Sequence, residues 1–256
     1  MQNDFTVFFD NYDLNTIPNV YFVKRNPNEE APIQTTTHDM VRRDGRLLTS
    51  IKHDSKIIDF DGYIIAPSRT AFEQALDTLK LKTSGIEKTL IVSQAGYSRK
   101  YTATKQNIVL EHIEAGKARI SLAFQANYPF GRASDLTTVN YTATSSPYGL
   151  SHTFLGTAVA RPTITITVDS MTGGTTKYIG VGNSSTGQQV QVTRTWTNGD
   201  IVQFNLDYQA VYVNSAISDY SGVFPEYYPD TSTAYVYDNL TTRSLSVEMT
   251  YAAQYL

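Results

Sequence analysis

Thr163-Ile164-Thr165-Ile166-Thr167-Val168 alternates a β-branched apolar residue with threonine without a break. A period of two belongs to a strand with one dry and one wet face. The same alternation returns at Val202, Phe204 and Leu206, and at Leu245, Val247, Met249 and Tyr251, with turn clusters at Thr172-Gly-Gly-Thr175 and Asn198-Gly199-Asp200 between the runs. Towards the N-terminus it recurs at Ala118, Ile120, Leu122 and Phe124, and shorter β-prone runs lie at 5–9, 20–23, 46–51, 56–65, 88–92, 97–104 and 107–113. A single segment has helical spacing: Phe72, Ala75, Leu76 and Leu79 predict a helix over about 68–83, with Ser68 as N-cap and Gly85 as stop. The chain is therefore mainly β with one α-helix. Composition shifts towards Thr, Ser, Gly and Tyr near Tyr128, which places a domain boundary there and predicts units of 1–130 and 131–256. The first reads as a β-sandwich or barrel-like domain with a helix and an extended β-hairpin arm, the second as a sandwich or jelly roll.

At 256 residues the chain is longer than the roughly 100–150 typical of one domain, in keeping with that division. Hydrophobic residues make up 41%, too many for a disordered chain, yet no run approaches the roughly 20 apolar residues that span a bilayer. The start at Met1 lacks the order of a signal peptide, so synthesis in a cytoplasm without export is expected, and no membrane insertion. Cysteine is absent, which removes disulfides, thiolate metal sites and cysteine nucleophiles. A net charge of −3 does not favour phosphate backbones, so no sequence-specific nucleic acid is expected as a partner. Eighteen tyrosines suit half-buried strands and contact surfaces.

Chemical motifs are sparse. Gly180-Val-Gly182 with Gly187 departs from a nucleotide-binding loop because the third glycine is misplaced and no helix follows, so it reads as a β-turn. His38, His53, His112 and His152 are scattered, and His112-Ile-Glu114 lacks the cysteines that complete a zinc deaminase motif. Asp59 and Asp61 share a strand face, and Glu226 and Asp230 flank a turn, but nothing in the sequence places either pair in a cleft. Asn140-Tyr-Thr142, Asn183-Ser-Ser185 and Asn239-Leu-Thr241 read as turn residues. The expectation is no catalytic residue, no metal, no cofactor and no enzyme. Trp196 falls on a strand face with Val190 and Val192, and reads as core. Together with Tyr220, Tyr227 and Tyr228 it also forms the alternative hypothesis, a carbohydrate contact. The basic run Arg42, Arg43, Asp44, Gly45 and Arg46, with Lys52 and Lys56, marks an arm over about 41–58 that can reach a neighbouring subunit.

Four runs in the second half occur in a telling order: Trp196-Thr-Asn-Gly199-Asp200-Ile-Val-Gln-Phe204, Val211-Tyr-Val213-Asn214, Gly222-Val-Phe224-Pro225, and the final strand from Leu245 to Tyr251. This order resembles the galectin-like jelly-roll domain of siphophage distal tail (Dit) proteins. The first half is similar to the other Dit domain in its basic arm, the strand 57–65, the helix, and the strand ending towards Phe124 and Pro129. The sequence departs at Pro229-Asp230-Thr231, where the family has a Pro-Gly turn. The resemblance implies a homo-hexameric ring at the virion tail tip, with the arm as a belt on the next subunit. It further implies contacts with the tail tube protein and with a tail-associated tip or baseplate hub protein, and a DNA channel through the ring. A receptor-binding protein or host cell-wall polysaccharide is a further implied partner. The alternative function is a carbohydrate-binding module of the tail tip acting in host adsorption.

Overall fold

A computed structural model describes residues 5–25, 31–39, 46–94, 96–114, 116–230 and 232–256, with the backbone alone at 24–25, 38–39, 46–48, 51 and 112–113. The chain separates into two compact units, residues 1–134 with Leu256, and residues 135–255.

In the first unit an antiparallel sheet runs in the order Tyr12–Asp13, Phe5–Phe9, Lys88–Gln94, Tyr97–Glu114, Lys117–Ala126, Lys56–Ile65, Val20–Arg25. Alternate residues enter the core: Ile58, Phe60 and Ile64 from one strand meet Ile120, Leu122 and Phe124 from the next. The rings of Phe9, Phe60 and Phe124 pack with centroids 4.9 and 5.8 Å apart, close enough for edge and tilted contacts to add to burial. The helix Arg69–Lys82 buries Phe72, Ala75, Leu76 and Leu79, the face its spacing marks out, and packs against the strand Lys56–Ile65. Ser68 Oγ accepts from the Ala71 N–H at the start, and at the end the Thr83 hydroxyl donates to the Leu79 carbonyl at 2.7 Å. The two runs at 97–104 and 107–113 form one strand, Tyr97–Glu114, because a register shift between Lys105 and Asn107 absorbs the break in pattern.

Residues Ile33–Asp39 and Arg46–His53 form a separate two-stranded sheet, registered from Ile33 opposite His53 to Asp39 opposite Arg46. This hairpin begins well before the arm placed at 41–58, and residues from Lys56 on belong to the main sheet, where Lys56 lies opposite Ala126. The threonine run 35–37 carried that strand in the sequence. Its lack of apolar alternation, the result of having no buried face, hid it.

The second unit is a sandwich of two antiparallel sheets. The 6-stranded sheet runs Thr137–Ala143, Thr242–Tyr251, Thr163–Thr172, Ile201–Asn205, Ala210–Val213, Ala216–Ile217; the 5-stranded sheet runs Tyr148–Leu150, Ala234–Asp238, Lys177–Asn183, Gln189–Arg194, Ser221–Gly222. Ile164, Ile166, Val168, Val202, Phe204, Val247 and Met249 line the inside of the first, and Ile179, Val181, Val190, Val192 and Val236 that of the second. Gly180 and Gly182 are not in a turn. They sit within the strand Lys177–Asn183, where a Cβ would meet the rings of Tyr237 and Tyr235 at 2.6 and 2.4 Å, so their small size lets those rings lie across the sheet. Asn140-Tyr-Thr142 is likewise strand rather than turn, paired to Glu248, Val247 and Ser246.

Candidate assembly surface

The hairpin is held at its base, and its described side chains beyond the base are mostly exposed. Ala31 is buried at its root, and the His53 ring meets Phe130 edge-on at 5.3 Å, with Tyr128 packed behind Phe130. Asp54 N–H donates to the Pro32 carbonyl at 2.8 Å, and Gln34 Nε2 to Asp54 Oδ2 at 2.8 Å. Further out, Ile33, Gln34, Thr35, Thr36 and Thr37 are all exposed, as are Thr49 and Lys52. Successive residues of a strand face opposite sides, so both faces of this ribbon are wet. A lone two-stranded ribbon is marginal in water, and a partner covering Ile33, 52% exposed, would add about 1 kcal/mol at that residue alone.

Of the arm residues singled out in the sequence, Arg42, Arg43, Asp44 and Gly45 lie outside the described residues. Arg46 stands opposite Asp39 by backbone register, and Lys52 is exposed. Lys56 is buried in the main sheet and is no part of the arm surface.

A second surface of the same unit lacks cover. Among the described residues Val20–Arg25 is the last strand on its side of the sheet, where it pairs with Lys56–Ile65. On the outward face of this pair Tyr21, Val23, Ile57, Tyr63 and Ile65 are all 45% exposed or more, with Tyr21 directly opposite Tyr63. An exposed apolar face of this kind suits contact with another chain.

The aromatic residues considered for carbohydrate contact do not form one platform. Trp196 lies beyond the end of its strand, is 1% exposed, and donates its indole N–H to the Lys177 carbonyl at 2.9 Å, with the Arg194 guanidinium over its ring. Tyr227 is fully buried, stacked on Phe154 at 4.7 Å, with its hydroxyl donating to the Gly182 carbonyl; burial pushes that phenol above its usual range. Tyr220 and Tyr228 are near half exposed, and Tyr220 rests edge-on against Phe224.

Several of the acidic and histidine candidates make structural contacts. Glu226 accepts from Arg161 at 2.6 Å, while its backbone carbonyl accepts from Asn183 Nδ2 and its N–H donates to Gln188 Oε1. Asp230 has φ 61, the left-handed conformation a glycine would supply, so it fills the geometric role of the missing Pro-Gly turn. Asp61 pairs with Arg119, which also reaches Glu111. His152 Nε2 lies 2.9 Å from the Tyr251 hydroxyl, and burial lowers its pKa. Among the described residues no three His, Asp or Glu side chains come together to hold a metal, and no helix is long and apolar enough to cross a membrane.

The Gly-Asp turn is the most fully wired loop. Burial works against the Asp200 charge, but hydrogen bonds from Asn214 Nδ2, the Thr197 N–H and the Thr197 hydroxyl, with Arg194 nearby, outweigh it and hold the carboxyl below its ordinary value. Asn214 also accepts from the Ile201 N–H at 2.9 Å, so Gly199-Asp200 and Val213-Asn214, two of the runs noted in the sequence, are one hydrogen-bonded corner.

No family profile and no curated protein matches the sequence. Among solved structures, the SPP1 Dit protein, described as a paradigm of the hub adsorption apparatus in phages infecting Gram-positive hosts, superimposes with a TM-score of 0.71 at 16% identity over 98% of this chain and 99% of its own. A chain of the phage P2 baseplate in its activated conformation with Ca gives 0.42 at 9% identity over 100% of both chains, and one with Sr gives 0.40 at 9% over 96% and 97%. Along nearly all of its length the chain has the fold of the SPP1 Dit protein.

Proposed function

We propose that this chain is a distal tail protein of a siphophage: a non-enzymatic structural hub, assembled as a homo-hexameric ring at the tail tip. Residues 1–130 form the ring and 131–256 a galectin-like domain turned to other tip components. The ring joins the tail tube protein to the tip or baseplate hub protein and surrounds the DNA channel. The observation that carries this reading is the ribbon of Ile33–Asp39 and Arg46–His53, whose side chains at 33–37, 49 and 52 are exposed and whose strands, among the described residues, ladder with each other alone. Its likeness in fold to the SPP1 Dit protein supports the same reading. A closed ring repeats one heterologous contact, so every copy both offers an arm and receives one, and the exposed apolar face carrying Tyr21, Val23 and Tyr63 is a suitable receiver. Electron microscopy of the purified full chain tests this. Six-fold annular particles are expected; single particles without symmetry at the highest attainable concentration would overturn it.

A further inference from the structure

Residues 151–158 of the second unit run without regular strand or helix, apart from an isolated bridge between Gly156 and Gln254. The backbone of such a stretch has to find its partners elsewhere. At its far end the Thr157 and Ala158 N–H groups donate to the Gln254 carbonyl at 2.9 and 3.1 Å. At its near end the partners are side chains. The Tyr141 hydroxyl donates to the Ser151 carbonyl at 3.1 Å, and the Leu155 N–H donates to the Tyr251 hydroxyl oxygen at 3.0 Å. Between them Phe154 is 1% exposed, stacked on Tyr227 and packed against Tyr251 with ring centroids 5.4 Å apart.

The Tyr251 oxygen takes the Leu155 N–H, so the proton of the phenol itself is left to point at His152 Nε2, 2.9 Å away. That bond exists in one state of the ring: a neutral imidazole with Nε2 bare and its proton on Nδ1. A protonated imidazole carries N–H on both nitrogens. Nε2 then turns from acceptor to donor and meets a phenol oxygen already engaged by Leu155. The titratable groups gathered here are otherwise phenols: Tyr251 on the final strand, Tyr141 on Thr137–Ala143, and Tyr148 beside it on Tyr148–Leu150. Phenols ordinarily titrate near pH 10, and burial pushes Tyr141 higher. Among the described residues no carboxylate pairs with the imidazole to steady a positive charge, and its partial burial opposes one. Between about pH 5 and 8 His152 is therefore the one member of this cluster whose charge changes.

We infer that His152 is an acid-sensitive latch: on taking up a proton it gives up its bond to Tyr251, and residues 151–155 loosen from the final strand while the sandwich stays folded. The sign follows from burial. The closed segment holds the imidazole below its ordinary 6.5, the value it regains when the segment opens, so the latch is whole above that pH and is lost as pH falls through the lower closed value. Loosening ends at Thr157 and Ala158, whose bonds to the Gln254 carbonyl involve no titratable group. The latch lies within the second unit and does not depend on the ring-forming role.

The test is amide hydrogen exchange of the full chain, read by mass spectrometry from about pH 8 to about pH 5, with each rate divided by that of the unstructured peptide at the same pH. Protection of 151–155 should fall about tenfold in acid, while that of the strand Thr163–Thr172 stays constant. His152→Gln, neutral throughout and able to accept from Tyr251 through its amide oxygen, should abolish the fall. Tyr251→Phe, which lacks the shared hydroxyl, should leave 151–155 poorly protected at every pH. Should His152→Gln be loose already at pH 8, the Tyr251→Phe profile decides: exchange independent of pH supports the latch, and exchange that still quickens in acid sinks it. Constant protection of 151–155 in the wild type, an equal loss in Thr163–Thr172, or an acid response that persists in His152→Gln would each overturn the inference. None of these outcomes bears on whether rings form.

Discussion

In residues 135–255 the two sheets bury their apolar side chains in a shared core, and the loops are tied by side chains such as Asp200, Asn214, Glu226 and Asn183. In residues 1–134 a comparable core exists, but the ribbon side chains at 33–37, 49 and 52 and one apolar sheet face are left wet. The second unit exposes apolar side chains too, Tyr208 and Ile217 at 78%, but they stand on a two-sheet sandwich with its own core. The ribbon of the first unit has no such core of its own, which is why the proposal assigns assembly to the first unit.

Removing 33–53 and joining the flanks with a short glycine-serine linker should have the largest effect: sedimentation would show single chains in place of rings, while near-ultraviolet signals from the second unit persist. By contrast, Trp196→Ala, which empties a fully enclosed site, should cost about 3–5 kcal/mol in thermal unfolding of the second unit and leave association unchanged before melting.

Asp200→Ala, next in size, removes a carboxylate that accepts three hydrogen bonds and should cost about 1–3 kcal/mol near neutral pH. Because the carboxyl titrates below its ordinary 3.8 in the folded chain, this contribution is complete above that value and is lost as pH falls through the lower folded value. Denaturant midpoints of wild type and variant should therefore converge in acid. Smallest in stability is the pair Tyr21→Ser and Tyr63→Ser: unfolding should move by no more than about 0.5 kcal/mol, since both rings are near half exposed, yet ring formation should shift to higher protein concentration.

The contrast between the units also explains what could be read from sequence. Elements with one buried face announce themselves: the helix face Phe72, Ala75, Leu76, Leu79 and the strand Thr163–Thr172 are plain because burial imposes periodicity. The hairpin strand Ile33–Asp39 has no buried face, so no pattern marks it and its start was set too late. Trp196 reads as core in the sequence and is 1% exposed, whereas Tyr227 shows the opposite difficulty. A tyrosine in a loop sequence looks available, and whether its hydroxyl finds a carbonyl such as that of Gly182 depends on distant strands.

Amide hydrogen exchange along Ile33–His53, compared between the dilute chain and the assembled particle, tests the assignment of the hairpin most directly. Assembly should slow exchange in the hairpin and leave the helix Arg69–Lys82 as it was. A hairpin that exchanges at the same rate in both, or a chain that never assembles, would contradict the account.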